Sequence, residues 1–199
     1  MQTDEAALIV DAQHGDVRPF NLLVERYQTR LYSLSYRVLN DHEAAADVTQ
    51  ETFISAFRKL KSFRGGSFSA WLLRIATNGC YDYLRARQRK PQTSLDAFDP
   101  DSDDQPRQFT AQGEAPDERV LRTELGEALQ RALAELPDDQ RLVVVLSDVQ
   151  GLSYEEMAQA TGWPLGSVKS RLSRGRAALR EILRRGELLP ERYRLIRND

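Results

Sequence analysis

The chain has 199 residues, 41% of them hydrophobic, and a formal charge of -2, so it holds either one large domain or two small ones with modest cores. No apolar run reaches the roughly 20 residues of a membrane span, and the acidic opening "MQTDEAALIVDAQHGD" is unlike a signal peptide, so no membrane insertion and a cytoplasmic location are expected. Cys80 is the only cysteine, which excludes an internal disulfide and, with only His14 and His42 beside it, makes a poor metal set.

Phe20, Leu23, Val24, Tyr27, Leu31, Leu34 and Val38 recur at three- and four-residue steps and predict a long amphipathic helix. Phe53, Ala56, Phe57 and Leu60 repeat the pattern in a second helix, closed by "RKLKSF" and the pair Gly65 and Gly66. A third helix starts near Ser67 or Ser69, either of which can cap it, and carries Trp71, Leu72, Ile75, Ala76 and Leu84 inward. Cys80 falls in this helix and reads first as a small buried hydrophobe, with a redox role second. These helices make a first domain over residues 1–90.

Residues 91–116 break every period. Their Pro, Asp, Ser and Gln content cannot bury enough apolar surface to offset chain entropy, which predicts a flexible acidic linker. Periodicity resumes with Val120, Leu121, Leu125, Leu129, Leu133 and Leu136 in a second domain over 117–186. "RLVVVLSDV" alone would pass for a strand, but its place after "PDDQ", a helix start with early acids, favours helix. The fold class expected is all-α: two small helical domains and a linker. The tail 187–199 either adds a short helix or binds a regulator.

In "GLSYEEMAQATGWPLGSVKSRLSRGRAALR", Ser153 and Glu156 form a capping box, Gly162 supplies a turn, and Pro164 fixes the first turn of the next helix. Ala158, Gly162 and Val168 sit where a helix-turn-helix needs a small residue, a turn glycine and an apolar residue, and Val168 with Leu172 packs the second helix onto the first. Ser167, Lys169, Ser170, Arg171, Arg174 and Arg176 are left for the outer surface. Such a helix can enter the major groove, where Arg reads guanine and Lys or Ser grips phosphate. The plainer alternative is a helical hairpin with a solvated basic face.

The near-neutral total hides segregation. Arg58 to Lys90 contains a single acid, Asp82, and Lys169 to Arg185 a single acid, Glu181, while Asp96 to Glu118 is acidic apart from Arg107. Two basic blocks around an acidic spacer point to two contacts with a polyanion. No nucleophile paired with a base, Gly-rich phosphate loop or metal cluster appears, so neither an enzyme nor a cofactor is expected.

"LPDDQRLVVVLSDVQGLSYEEMAQATGWPLGSVKSRLSRGRAALR" resembles the fourth region of bacterial sigma factors, and "DHEAAADVTQETFISAFRKLKSFRGGSFSAWLLRIATNGCYDYLRARQRK" resembles their second region. Their order and short separation are similar to the extracytoplasmic-function (ECF) group. The resemblance implies docking on core RNA polymerase, at the clamp helices of the largest subunit and at the flap. It assigns the clamp contact to Asp47, Gln50, Glu51, Phe53 and Ile54, and Asp41 to Phe57 indeed lacks Lys and Arg, as suits a basic partner. It lays melted promoter DNA along Phe63, Arg64, Phe68, Arg74, Asn78, Asp82, Arg85 and Arg89, where aromatics can stack on bases at roughly 1–3 kcal/mol each. Gly65 and Gly66 depart from the family's more polar loop, and Trp71 is expected mostly in the core with an edge near DNA. The resemblance further implies double-stranded contact at the minus-thirty-five element and an anti-sigma factor covering both domains. Two readings of the linker stay open, a plain tether or a segment threading toward the polymerase active site. A second function also stays open: a stand-alone helix-turn-helix regulator with an N-terminal effector or oligomerisation domain.

Overall fold

Three aspartates start the first three helices. The carboxylates of Asp4, Asp16 and Asp41 accept from the backbone N–H groups of Ala6 (3.2 Å), Arg18 (3.0 Å) and Ala44 (2.9 Å), satisfying donors that a helix start leaves unpaired. They open α1 (Glu5–Gln13), α2 (Val17–Leu39) and α3 (His42–Lys59), and a 3-10 turn, Leu60–Ser62, carries α3 into a loop. Asn40 closes α2 in the left-handed region at φ 53°. Ser67 rather than Ser69 starts α4 (Phe68–Arg89), since its Oγ accepts from Ala70 N at 3.1 Å.

The structure, a computed structural model, describes residues 4–89 and 116–185, with side chains from 124 onward in the second stretch. The expected linker, apart from Pro116, and the expected tail lie outside the described residues. The second stretch comprises α5 (Pro116–Ala134), α6 (Asp138–Val144), a π turn (Val145–Val149), α7 (Tyr154–Thr161) and α8 (Leu165–Arg184). Among the described residues every element is helical, which gives two helical domains. None of the helices is long and apolar enough to cross a membrane.

Leu31, Leu34, Val38, Leu72, Ala76 and Cys80 are wholly buried and fill the middle of α2–α4. Burial pushes the Cys80 thiol up to about 12, so it behaves as a small hydrophobe. Phe57, expected inward, is exposed at the rim, where its ring lies 4.9 Å from that of Phe20. "RLVVVLSDV" is helical, and Leu142, Val143, Val144, Val145 and Leu146 are all buried. A helix covered on every side shows no amphipathic period, and that is why it imitated a strand. The π turn is closed by Gln150 N donating to Val145 O at 3.0 Å.

The sequence reading missed α1. Its signal was the Asp4 cap with Leu8, Ile9 and Ala12 buried on one face. Gln13 at its end donates to the carbonyls of Leu60 (2.9 Å) and Phe63 (3.0 Å), tying α1 to the loop before α4. In the second domain α8 is seated on α6 at Gly175, where an added Cβ would lie 2.8 Å from Val144 Cγ2 and 3.2 Å from Gln140 O. Only glycine permits that approach.

Candidate nucleic-acid interface

The helix-turn-helix forms from its caps. Ser153 N donates to Glu156 Oε2 (2.8 Å) while Glu156 N donates to Ser153 Oγ (3.2 Å), and Gly162 turns the chain at φ 71°. Pro164 stands at the N-cap of α8 instead of inside its first turn, and its carbonyl accepts from Ser167 N and Val168 N. Val168 and Leu172 are buried against α6 and α7, which fixes the face of α8 turned outward.

That face is narrower than the sequence suggested. Lys169, Ser170 and Arg174 are exposed and Ser167 half-exposed. Arg171 is turned inward: its Nε donates to Asp139 Oδ2 at 2.8 Å and its guanidinium lies 4.4 Å from the centre of the Trp163 ring. The expectation that Arg171 covers the outer surface is therefore corrected, because an acid in the first turn of α6 and an aromatic in the turn hold its fork more closely than water does. Arg176 is exposed but reaches Asp148 and Ser147, and the Asp148 carboxylate raises its pKa. Lys169 and Arg174 are the cations of this row without an ion pair among the described residues; Lys169 Nζ lies 5.4 Å over the Tyr154 ring.

On α4 the row Arg74, Asn78, Asp82, Arg85 and Arg89 is exposed along its whole length. Arg64 is exposed beside Gly65 and Gly66, at φ 100° and 89°. Phe68 corrects another expectation. It is 1% exposed, packed 5.4 Å from Phe63, 5.5 Å from Trp71 and 5.8 Å from Tyr27, so it cannot stack on a base from this position. A large ring at the first turn of α4 gains more from core burial than from one face of stacking. Phe63 and Trp71 remain half-buried above it.

The residues assigned to polymerase fall on two sides of α3. Gln50, Phe53 and Ile54 line an apolar groove of about 690 Å3 between α2 and α3, together with Val24 and Tyr32. Its end is closed by His42, whose Nδ1 lies 2.8 Å from Tyr32 Oη and whose ring stacks 4.2 Å from Tyr36. Asp47 and Glu51 instead face a cleft of about 450 Å3 toward α4, opposite Asn78 and Asp82. Sequence spacing does not separate these sets, since residues three and four apart share a helix face only loosely. Val24, Tyr32 and His42 were missed as groove residues, although an exposed aromatic edge next to α3 could have flagged them.

A helix-turn-helix on one helical domain and a free cationic row beside an aromatic loop on the other define a DNA-binding transcription factor. Sigma-70 region 2 matches residues 23–90 and Sigma-70 region 4 matches residues 126–179. The RNA polymerase sigma-H factor of Pseudomonas aeruginosa is 37% identical over 196 residues, covering 92% of this chain and 95% of that protein. The ECF RNA polymerase sigma-E factor of Escherichia coli K12 is 39% identical over 185 residues, covering 89% and 93%. Among solved structures, the Bartonella quintana sigma factor RpoE in complex with the anti-sigma factor NepR aligns with TM-score 0.63 and 30% identity over 84% of this chain and 98% of that one. CnrH in complex with the cytosolic domain of CnrY aligns with TM-score 0.62 and 27% identity over 90% and 96%. The chain belongs to the sigma-70 family as an ECF-type RNA polymerase sigma factor. That family comprises non-catalytic regulators of transcription.

Proposed function

We propose that the chain binds core RNA polymerase through α3, reads the minus-thirty-five element as duplex with α8, and holds the melted minus-ten element along α4 and the loop before it. The first role falls to Gln50, Phe53 and Ile54 in the apolar groove, with Asp47 and Glu51 beyond it. Lys169, Ser170 and Arg174 face the duplex, flanked by Ser167 and Arg176. Arg64, Arg74, Asn78, Arg85 and Arg89 follow the single strand, with Phe63 as the accessible ring. No covalent step is required, because selective binding of the open form shifts the melting equilibrium. Action in the cytoplasm follows from these partners. The first domain spans 1–90 and the second 117–186. An anti-sigma factor fits as regulator, by analogy with the complexes of RpoE with NepR and CnrH with CnrY.

The observation that carries this reading is the pairing, in one chain, of an exposed reading helix on each domain with an apolar groove on α3. The test is a gel shift on promoter fragments with and without core polymerase, followed by transcription from the same template. Specific binding and initiation only with polymerase are expected. Tight binding of the free chain to a palindromic site would support a stand-alone regulator and overturn the proposal.

A further inference from the structure

α1 lies outside the residues matched by Sigma-70 region 2, yet its last residue reaches the loop that carries Phe63 and Arg64. Gln13 Nε2 donates to two carbonyls at once, Leu60 O at 2.9 Å and Phe63 O at 3.0 Å, across 47 and 50 positions of chain. An amide nitrogen carries two hydrogens, so both are spent on this loop. The two acceptors bracket the 3-10 turn, at the point where the backbone leaves helical geometry and becomes extended at Phe63 (φ -69°, ψ 117°). Phe63 N also donates to Leu60 O at 3.0 Å, so the Leu60 carbonyl is shared between the turn and Gln13.

The other end of α1 leads to the same place. The Glu5 carboxylate accepts from the Tyr27 hydroxyl and from Arg26 Nη1 at 3.5 Å, and the Tyr27 ring packs on Phe68, which in turn supports Phe63 and Trp71. Leu8, Ile9 and Ala12 bury the face between, so α1 is fixed to the first domain along its length. The tip of the loop has nothing comparable. Gly65 and Gly66 take positive φ, and a Cβ on either would meet no atom within 4 Å, so this part of the loop stands clear of packing. Its exit is held by Ser67 Oγ accepting from Ala70 N at the start of α4. Among the described residues, Gln13 is the side chain that hydrogen-bonds the entry of the loop to another element.

We infer that Gln13 is a positioning residue for capture of the melted minus-ten strand: by holding the Leu60 and Phe63 carbonyls it sets Phe63 and Arg64 where unpaired bases and phosphates meet them. α1 is the strut that carries it. Both amide hydrogens are taken by carbonyls, so Gln13 acts through the loop and not through a base. Without it two backbone acceptors lose a partner, and the turn runs into two glycines with nothing from another helix to fix its direction. The freedom so gained must then be lost when a strand binds, which weakens capture while leaving docking at α3 untouched. The inference rests on the functional reading above and adds to it a residue outside the family's matched region.

The test is made in the holoenzyme, with the full chain on core polymerase. Gln13→Met keeps the length of the side chain and removes both donors. Affinity for core polymerase and for minus-thirty-five duplex is expected within about twofold of the unaltered chain, while binding of a fluorescent single strand carrying the promoter's minus-ten sequence falls at least about fivefold, read by anisotropy. A double-mutant cycle separates positioning from general weakening. In a Phe63→Leu, Arg64→Ala background, which keeps a buried apolar group but removes the ring and cation of the loop, Gln13→Met should cost less than about twofold further. In an Arg85→Ala background, farther along α4, it should cost the full fivefold or so. Strand binding that Gln13→Met leaves unchanged overturns the inference. A full loss in both backgrounds overturns the route through the loop, and an equal loss of polymerase affinity shows that α1 supports the whole domain instead. If the loop pair and Arg85→Ala each leave the strand bound as before, the functional reading of α4 falls and takes the inference with it.

Discussion

α4 and α8 are both long, cation-bearing helices, yet they spend their charges differently. On α4 the arginines from Arg74 to Arg89 are exposed and make no ion pair among the described residues, Arg85 lying 5.6 Å over the Tyr81 ring, whereas on α8 Arg171 and Arg176 are committed to Asp139 and Asp148. The difference lies in the neighbours. The α3 acids nearest α4, Asp47 and Glu51, face it across a cleft and make no ion pair with its arginines among the described residues, while α6 and its π turn bring Asp139 and Asp148 into direct contact with α8. A basic block in a sequence therefore measures the charge available to a partner only after acids from other elements have taken their share.

The contrast can be broken most severely by unseating α8. Gly175→Ala places a Cβ 2.8 Å from Val144 and 3.2 Å from a backbone oxygen, and overpacking of this kind costs about 1–3 kcal/mol. A thermal melt should show the loss, and minus-thirty-five binding should fall with it; an unchanged melt would mean that α8 does not rest on α6 as described. Arg174→Ala should leave the melt and polymerase affinity alone but weaken minus-thirty-five binding by about 1–3 kcal/mol, read by gel shift of the holoenzyme. Equal loss of polymerase binding would show that the outer face of α8 has another partner. Ile54→Ser, in the groove, should do the reverse and lower polymerase affinity by about 1–2 kcal/mol, as expected for removing one exposed apolar contact. Glu51→Ala, on the other side of α3, then distinguishes the two sets: a smaller effect than Ile54→Ser places docking mainly in the apolar groove.

Asp139→Asn is a finer probe. It removes a partly exposed ion pair worth about 0–1 kcal/mol and releases Arg171, so the melt should barely move while the salt dependence of duplex binding steepens. The smallest effect at ordinary pH concerns the first domain. Burial raises Tyr27 from 10.0 to about 12 and Cys80 from 9.0 to about 12, so the fold favours their protonated forms. Their contribution is complete below the unfolded values and is lost as pH climbs from about 9 through 12. Denaturant melts across that window should show the decline, and Cys80→Ala should flatten the Cys80 share of it.

How much of this was legible in the chain varies by element. The helix-turn-helix could be read almost residue by residue, because a capping box, a left-handed glycine and two apolar contacts are local chemistry at set spacings. The Arg74–Asn78–Asp82–Arg85–Arg89 row was picked out by the family resemblance, and its steps of about one helical turn account for its shared exposure on α4. Phe68 could not be placed, since a ring beside two glycines suits an exposed loop and a buried first turn equally, and only Tyr27, Phe63 and Trp71 closing around it decided the matter. α1 went unread because it buries just Leu8, Ile9 and Ala12, too short a stripe to show a period.

By itself the sequence determined the all-helical class and which helices carry cations, because propensity, caps and periodicity act over a few residues, while the family came from the resemblance of two long segments to known regions. The tertiary structure alone decided which of those cations stay free, that α3 offers two different sides, and that Arg30 bridges α2 to Gln150, 120 positions along the chain. Such pairings depend on surfaces brought together from distant segments, and no local pattern of residues encodes which acid will meet which arginine.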